Sequence, residues 1–190
     1  MARSRLHVTA LCALALVCLA AFAGCGKSSN KAGATVREGL STPLAGLRYT
    51  VFLTRQLNVA NEEDKGYVPG QKDAPPGKSL YGVFLQACND SKSVANAAKR
   101  FYIEDTQGNR FEPQGLSSEN PFAYRGGPVQ PQNCEPARGS LAQQSPTSGA
   151  LLLFQIPLAA TENRPLELHI QGPFDSGAGK SSEATVILDI

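Results

Sequence analysis

Apolar residues concentrate most densely at residues 80–87, LYGVFLQA, where both faces of an extended chain carry hydrophobic side chains. Tyr81 and Val83 share one face of such a strand, whereas Leu80 and Phe84 share the other. A short run of this kind, rich in aromatic and branched residues, predicts a central strand of a sheet. A short buried helix is the alternative, because periodicity alone does not separate the two.

Segments with alternating polar and apolar residues predict further strands on both sides of this run. Within residues 47–54, Leu47, Tyr49, Val51 and Leu53 are expected on one buried face. Turn residues separate the strands, and this spacing is typical of an all-β fold, an antiparallel β-sandwich of immunoglobulin type. The other strands are predicted at residues 101–104, 110–112, 151–156, 166–170 and 185–190. The core is expected to include Phe84, Ile103, Leu153, Leu168 and Val186.

Several of these segments resemble a known family of bacterial secreted domains. Pro76-Gly77-Lys78 leads into the central strand, and residues 101–111, FYIEDTQGNRF, have the pattern of a strand, an Asp-x-x-Gly-Asn turn and an aromatic residue. Together with GALLLFQIP at residues 149–157, they resemble the immunoglobulin-like domains grouped as DUF4352 or telokin-like. The resemblance spans residues 47–190 and implies that fold without shared catalytic residues. Cys88 departs from the pattern, since a plain hydrophobe is more usual there.

The N-terminal segment has the order of charge and hydrophobicity that is typical of an export signal. Arg3 and Arg5 precede the apolar residues 6–23, and the small residues Ala-Gly follow before Cys25. This ending resembles the lipobox of bacterial lipoproteins, in which the cysteine is lipidated and becomes the first mature residue, although Phe22 replaces the usual leucine. An uncleaved transmembrane helix is the alternative. Both interpretations place the remainder outside the cytoplasm.

Three regions are therefore predicted along the chain. A signal peptide is expected at residues 1–24, a lipidated N-terminus with a flexible linker at residues 25–45, and the β-sandwich at residues 46–190. The linker prediction rests on small polar residues without periodicity. The expected location is the extracytoplasmic face of the cell membrane, reached by ordinary export and held by the lipid anchor.

The charge balance disfavours one class of partner. The formal net charge of +2 comes entirely from Arg3 and Arg5, so the mature chain is neutral. A neutral domain lacks the electrostatic footprint that binding to nucleic acid requires. The expected partners are the membrane, through the lipid anchor, and an envelope protein or cell-wall ligand.

The five cysteines separate into three groups. Cys12 and Cys18 leave with the signal peptide and Cys25 takes the lipid, so Cys88 and Cys134 remain. Two cysteines in an exported domain predict one disulfide. A zinc site would need more ligands than the single mature histidine supplies, and a catalytic thiol would need a histidine partner. No metal and no cofactor are therefore expected.

Candidate functional residues are few. Residues 114–148 form a long segment rich in Pro, Gly, Gln and Ser, and a binding surface is expected there because such long loops are commonly functional or disordered. His169, the only mature histidine, is expected on the outward face of its strand, and a Ser-His-Asp arrangement with Asp175 or Asp189 is the alternative.

An acidic cluster, Glu62-Glu63-Asp64, lies in the turn-rich residues 61–79. It lacks the alternating carboxylates of a calcium loop, so a solvated acidic loop is expected.

The sequence thus predicts a non-catalytic, immunoglobulin-like binding module displayed from the membrane. The alternative is an envelope enzyme of hydrolase type with a site assembled from loops.

Overall fold

The computed structural model describes residues 35–175 and 179–190. The predicted signal peptide and the lipidation site Cys25 lie outside these residues. The helices are α1 (Glu62–Tyr67), α2 (Leu141–Gln144) and a 3₁₀ helix (Leu158–Glu162). The strands are β1 (Thr35–Arg37), β2 (Ser41–Leu44), β3 (Leu47–Leu57), β4 (Lys78–Cys88), β5 (Ala95–Ala97), β6 (Arg100–Glu104), β7 (Arg110–Phe111), β8 (Pro113–Gln114), β9 (Gly127–Val129), β10 (Cys134–Glu135), β11 (Ala150–Pro157), β12 (Glu167–Asp175) and β13 (Lys180–Ile187).

Two sheets pack face to face, which confirms the predicted β-sandwich. Sheet I has the strand order β1-β13-β12-β6-β7, and sheet II has the order β2-β3-β4-β11-β8, with β10 pairing to the end of β4. Strands β5 and β9 form a separate two-stranded ribbon. All pairs are antiparallel except β1 with β13. A short additional bridge joins Ala123 to Leu151 in parallel.

The central strand is β4, because β3 pairs with one of its edges and β11 with the other. Tyr81 and Val83 face the main core between the sheets, whereas Leu80 and Phe84 face a second cluster on the opposite side. Tyr67 from α1 covers Phe84, with their ring centroids 5.1 Å apart. Apolar cover on both sides explains the two-faced hydrophobic pattern of this strand. The five residues predicted to be buried are all at most 1% exposed: Phe84, Ile103, Leu153, Leu168 and Val186.

The alternation predicted for β3 fails after Val51. The pairing with β4 shifts register between Val51 and Leu53, so Phe52 is an extra residue in the strand. Because each added residue reverses which face a side chain occupies, Leu53 leaves the main core and is 36% exposed, whereas Thr54 is buried. The prediction that Leu53 shares a face with Leu47 and Tyr49 is therefore wrong.

The predicted linker at residues 25–45 is wrong from residue 35 onward. β1 pairs with β13 in sheet I, with Val36 opposite Val186, and β2 pairs with β3 in sheet II, where Leu44 is buried. Strands of three and four residues are too short to show a period, and the partner of β1 lies at the other end of the chain. Residues 35–45 therefore resemble a linker in sequence, although they contribute strands to both sheets.

Residues 114–148 form a folded segment whose short elements pair with distant parts of the chain. Strand β9 pairs with β5, β10 pairs with β4, and α2 is capped by the Ser140 side chain, which accepts a hydrogen bond from the backbone of Gln143. Two- and three-residue strands carry no periodic signal, so they were not predicted. No helix in residues 35–175 and 179–190 is long and apolar enough to cross a membrane.

The acidic cluster belongs to a helix and not to a solvated loop. It forms the first turn of α1, and the side chain of Asn61 caps that turn by accepting hydrogen bonds from the backbone. The Asp64 carboxylate is buried, pairs with Arg55 and accepts the backbone N–H of Asn58 at 2.8 Å. Asp64 therefore has a structural role, in which it joins α1 to the end of β3.

Candidate functional site

The predicted disulfide is present and joins the long segment to the central strand. Cys88 ends β4 and lies directly opposite Cys134 in β10, with the two Cα atoms 4.0 Å apart. Glu135 pairs with Ala87 in the same ladder. The chain on either side of Cys134 is therefore held against the end of β4.

Asn89, the residue after β4, organises the turn beside the disulfide. It is fully buried, and its side-chain amide donates hydrogen bonds to the carbonyls of Ser93 and Val129, both at 2.8 Å. Its backbone N–H donates to the carbonyl of Asn133, and its own carbonyl accepts the N–H of Gln132. One buried side chain thus fixes the loop after β4 to the segment before β10.

The side chain of Gln132 adds a second connection across the same gap. Its backbone is in the left-handed region with φ at 61°, and its side-chain amide donates to the carbonyls of Asp90 and Ser91 at 3.1 and 3.3 Å. Both amide hydrogens therefore serve the loop after β4. The side-chain carbonyl oxygen makes no hydrogen bond with a described residue and can accept one from a ligand.

Arg48 and Asp90 form an ion pair on the rim of this region. Arg48 Nε lies 2.8 Å from Asp90 Oδ2, and Nη2 lies 3.3 Å from Oδ1. The hydrogen bonds from Arg48 lower the pKa of Asp90, and those to Asp90 raise the pKa of Arg48. Both side chains are largely exposed, at 44% and 64%, so the pair contributes little to stability and mainly positions the two groups.

The disulfide, Gln132 and the Arg48–Asp90 ion pair line a concavity of about 430 Å³, which we name the disulfide cleft. The central strands and the loop after β4 supply one wall, and the segment 114–148 supplies the other. The lining residues are Arg48, Gln86, Cys88, Asp90, Gln132, Asn133, Cys134, Arg138 and Gln143. Five of these nine residues belong to the segment 114–148, in which a binding surface is predicted.

The chemistry of the cleft is that of a polar, donor-rich site. Arg138 is exposed and forms no ion pair with any side chain in the described part of the chain. Gln143 accepts the N–H of Gly139 through its carbonyl oxygen at 3.1 Å, and its amide hydrogens donate to no described residue. The lining contains no aromatic ring on which an apolar ligand could stack. A polar ligand with an acceptor or a negative charge suits these groups.

Four residues of the cleft carry no sequence signal that predicts a site: Arg48, Asp90, Arg138 and Gln143. They come from three separate segments, and each is an ordinary polar residue without a motif around it. The binding surface expected in residues 114–148 and the disulfide predicted at Cys134 pointed to this region without singling out these side chains. The partial signal was the expectation that a disulfide ties the long segment to β4.

His169 lies on the outward face of sheet I, as predicted. Its ring stacks on Tyr102, with the ring centroids 4.5 Å apart and an interplanar angle of 3°, and its Nδ1 is 2.9 Å from Glu183 Oε1. These contacts leave the side chain only 12% exposed, so the ring is packed against its neighbours. No hydrogen bond or ion pair joins Asp189 to His169, whose carboxylate neighbours among the described residues are Glu183 and Glu167. Among described residues no serine hydroxyl is hydrogen-bonded to His169.

Metal-binding residues do not cluster in residues 35–175 and 179–190. No group of three or more His, Cys, Asp or Glu side chains there is placed to hold a metal ion. The two carboxylates nearest to His169 are Glu183 and Glu167, and the second lies 3.8 Å from Nε2.

Comparison with known proteins gives likeness in fold only. No protein-family model matches the chain, and no curated protein sequence matches it. The yjhA protein from Bacillus subtilis superposes with a TM-score of 0.52 at 14% identity, covering 81% of this chain and 99% of that one. At this identity the likeness supports the β-sandwich and carries nothing about function.

Two further solved structures are similar at lower scores. An uncharacterized β-sandwich protein from Clostridium difficile 630 has a TM-score of 0.44 at 13% identity, covering 83% of this chain and 95% of that one. The ycdA protein from Bacillus subtilis subsp. subtilis str. 168, described as a putative lipoprotein, has a TM-score of 0.47 at 9% identity. That match covers 79% of this chain and 38% of the ycdA chain.

Proposed function

We propose that this chain is a lipid-anchored protein of the extracytoplasmic face, and that its β-sandwich binds a polar envelope ligand in the disulfide cleft without catalysing a reaction. The sandwich would be of the DUF4352 or telokin-like type that the sequence motifs resemble. The observation that carries the proposal is the cleft itself. Its two walls are held together by a disulfide, by the buried side chain of Asn89 and by the side chain of Gln132.

A pre-formed wall favours binding because little conformational entropy is lost when the ligand arrives. The segment 114–148 is long enough to be costly to order on binding, yet it is already paired with β4 and β5. Arg138 and Gln143 thus present their free donors from a fixed backbone. This arrangement supports recognition of a ligand.

The anchor proposal rests on the N-terminal pattern that ends at Cys25. Acyl chains contribute about 0.8 kcal/mol per buried methylene group, and stable attachment needs more than one chain, which a diacylglyceryl group supplies. The sandwich would then lie at the membrane surface with its cleft open to ligands of the envelope.

The alternative of a hydrolase gains no specific support from the surroundings of His169. Its ring is held between Tyr102 and Glu183 on a sheet face, and the cleft contains no histidine. A catalytic proposal would need a nucleophile within reach of this ring. Binding is therefore the function that the arrangement supports best.

Capture experiments with matched variants test this proposal. Mature protein is immobilised and incubated with detergent-solubilised envelope, and bound material is quantified by mass spectrometry. Arg138→Glu should abolish capture of a specific component, because a ligand acceptor would then face a negative charge. Lys72→Glu, an exposed substitution outside the cleft, and His169→Ala should retain it. Equal capture by all variants, or loss of capture with His169→Ala alone, would show that the cleft is not the binding site.

A further inference from the structure

A second concavity lies at the start of β6, where the ribbon of β5 and β9 meets β12. It has a volume of about 300 Å³ and is named here the ribbon pocket. The pairing of β6 with β12 ends at Arg100 opposite Gln171. The pairing of β12 with β13 shifts register between Gln171 and Phe174. Gly172 and Pro173 therefore have no β6 partner, and the gap beside them forms the pocket.

Two glycines fix the backbone around this gap. Gly126 has φ at +65°, and a Cβ there would lie 2.6 Å from the carbonyl oxygen of Ala98. A Cβ on Gly172 would lie 2.5 Å from Ser182 Oγ. A larger residue at position 126 would push the ribbon away from Ala98, so this wall of the pocket depends on close backbone approach. A larger residue at position 172 would first displace the side chain of Ser182.

The lining combines an apolar floor with a cationic rim. Ala97, Ala98, Pro128 and Pro173 supply apolar carbon, and the exposed residues Lys99 and Arg100 stand at the edge. Neither cation forms an ion pair with a described side chain, in contrast to the paired arginines of the cleft rim and of β7. Two cationic residues in an otherwise largely apolar lining match a molecule that has an apolar body and one anionic end.

We propose that the ribbon pocket binds a small amphipathic carboxylate, with its apolar body against the alanines and prolines and its carboxylate at Lys99 and Arg100. The volume is at the small end of the range for ligand pockets, so the apolar body is short. This site is separate from the disulfide cleft and shares none of its lining residues. The proposal is therefore independent of the proposed function.

Octanoate is a suitable probe, and octanamide is its neutral counterpart. Nuclear magnetic resonance titration of the isotope-labelled mature protein should show saturable shifts at the amides of the pocket. The double variant Lys99→Gln/Arg100→Gln should weaken octanoate binding by about tenfold, the loss expected when a charged hydrogen-bond partner is removed. The control Lys72→Gln/Lys92→Gln removes the same charge from exposed positions elsewhere and should leave the affinity within about twofold. Asn96→Phe, at an exposed lining position, should block binding by filling the mouth.

Three results would overturn the proposal. If octanamide binds as tightly as octanoate, Lys99 and Arg100 do not recognise the carboxylate. Octanoate shifts that map outside the pocket, or that persist in Asn96→Phe, would place the ligand elsewhere. Binding to phosphatidylglycerol vesicles that depends on Lys99 and Arg100, without octanoate binding, would assign the cations to a lipid headgroup.

Discussion

Cys88 and Cys134 lie directly opposite each other in adjacent antiparallel strands, with Cα atoms 4.0 Å apart and their sulfurs bonded. The bond joins positions that are 46 residues apart in sequence. Both cysteines line the same cleft as Arg138 and Gln143. The covalent bond and the proposed binding surface are therefore parts of one structure, and loss of the bond should affect both.

Removal of the disulfide is expected to destabilise the protein without abolishing its fold. For a closed loop of 46 residues, the loop-entropy relation gives up to about 4 kcal/mol of unfolding free energy. Cys134→Ser should therefore unfold at a clearly lower urea concentration than the wild type, with its β-type circular dichroism retained. The double variant with Cys88→Ser serves as the control for an unpaired thiol. Full alkylation of both cysteines in non-reduced native protein would contradict the pairing.

Acid stability should depend on Asp105. Burial of this carboxylate raises its pKa, but hydrogen bonds to the carboxylate outweigh that effect and lower the pKa to about 2. The donors are the side chain and backbone of Asn109, the side chain of Asn163 and the backbone of Gln107. Because the unfolded value is about 3.9, the folded state gains stability above that pH. This contribution should be lost as the pH falls from about 4 to about 2.

Urea unfolding measured across that pH range tests the assignment. Asp105→Asn keeps the side-chain shape but has no charge to titrate, so its stability should change less steeply between these pH values than that of the wild type. Exposed Asp73 offers a matched control, and Asp73→Asn should keep the wild-type slope. Parallel profiles for the wild type and Asp105→Asn would mean that this carboxylate does not carry the effect.

Two phenylalanines test the two-faced character of the second sheet. Phe84→Ala should cost about 3–5 kcal/mol of unfolding free energy, because the ring is fully buried in the cluster with Tyr67. Phe52→Ala should cost much less, since that ring is the extra residue of the β3 bulge and is 37% exposed. Chemical denaturation of both variants gives the comparison. Similar losses for the two would contradict the described burial.

Lipid attachment is tested at Cys25. Cys25→Ser should accumulate as an unprocessed precursor, because a serine hydroxyl cannot receive the thioether-linked lipid that precedes cleavage. Metabolic labelling with a fatty-acid analogue and intact-mass measurement provide the readouts. Cys18→Ser, inside the predicted signal peptide, is the matched control and should mature normally. Normal maturation and labelling of Cys25→Ser would show that the anchor proposal is wrong.

The core was more predictable from the sequence than the site, for a physical reason. The run around Tyr81 and Phe84 is long enough for its two faces to be recognised, and each face does pack against its own cluster. The bulge at Phe52 could not be predicted, because an extra residue leaves no mark on the composition of β3. Likewise β1 carries three residues whose partner strand is at the far end of the chain.

The disulfide cleft was predictable only in part. Five cysteines and an export signal were sufficient to pair Cys88 with Cys134 and to connect the long segment to β4. The other cleft residues come together through tertiary folding, as with Arg48 and Asp90, which are 42 residues apart. No local pattern in one sequence encodes such a meeting. The outward position of His169 followed from strand alternation, whereas its stacking on Tyr102 depended on the β6–β12 register.

The most direct test of the central claim is site-specific photocrosslinking in living cells that produce the protein. A photoreactive amino acid is placed at Gln143 in the disulfide cleft and, in a second strain, at the exposed Arg37 of β1. After irradiation, the mass of the purified protein shows whether a ligand has been attached. We expect a discrete adduct from position 143 and none from position 37. Equal adducts from both positions, or an adduct from position 37 alone, would contradict binding in the cleft.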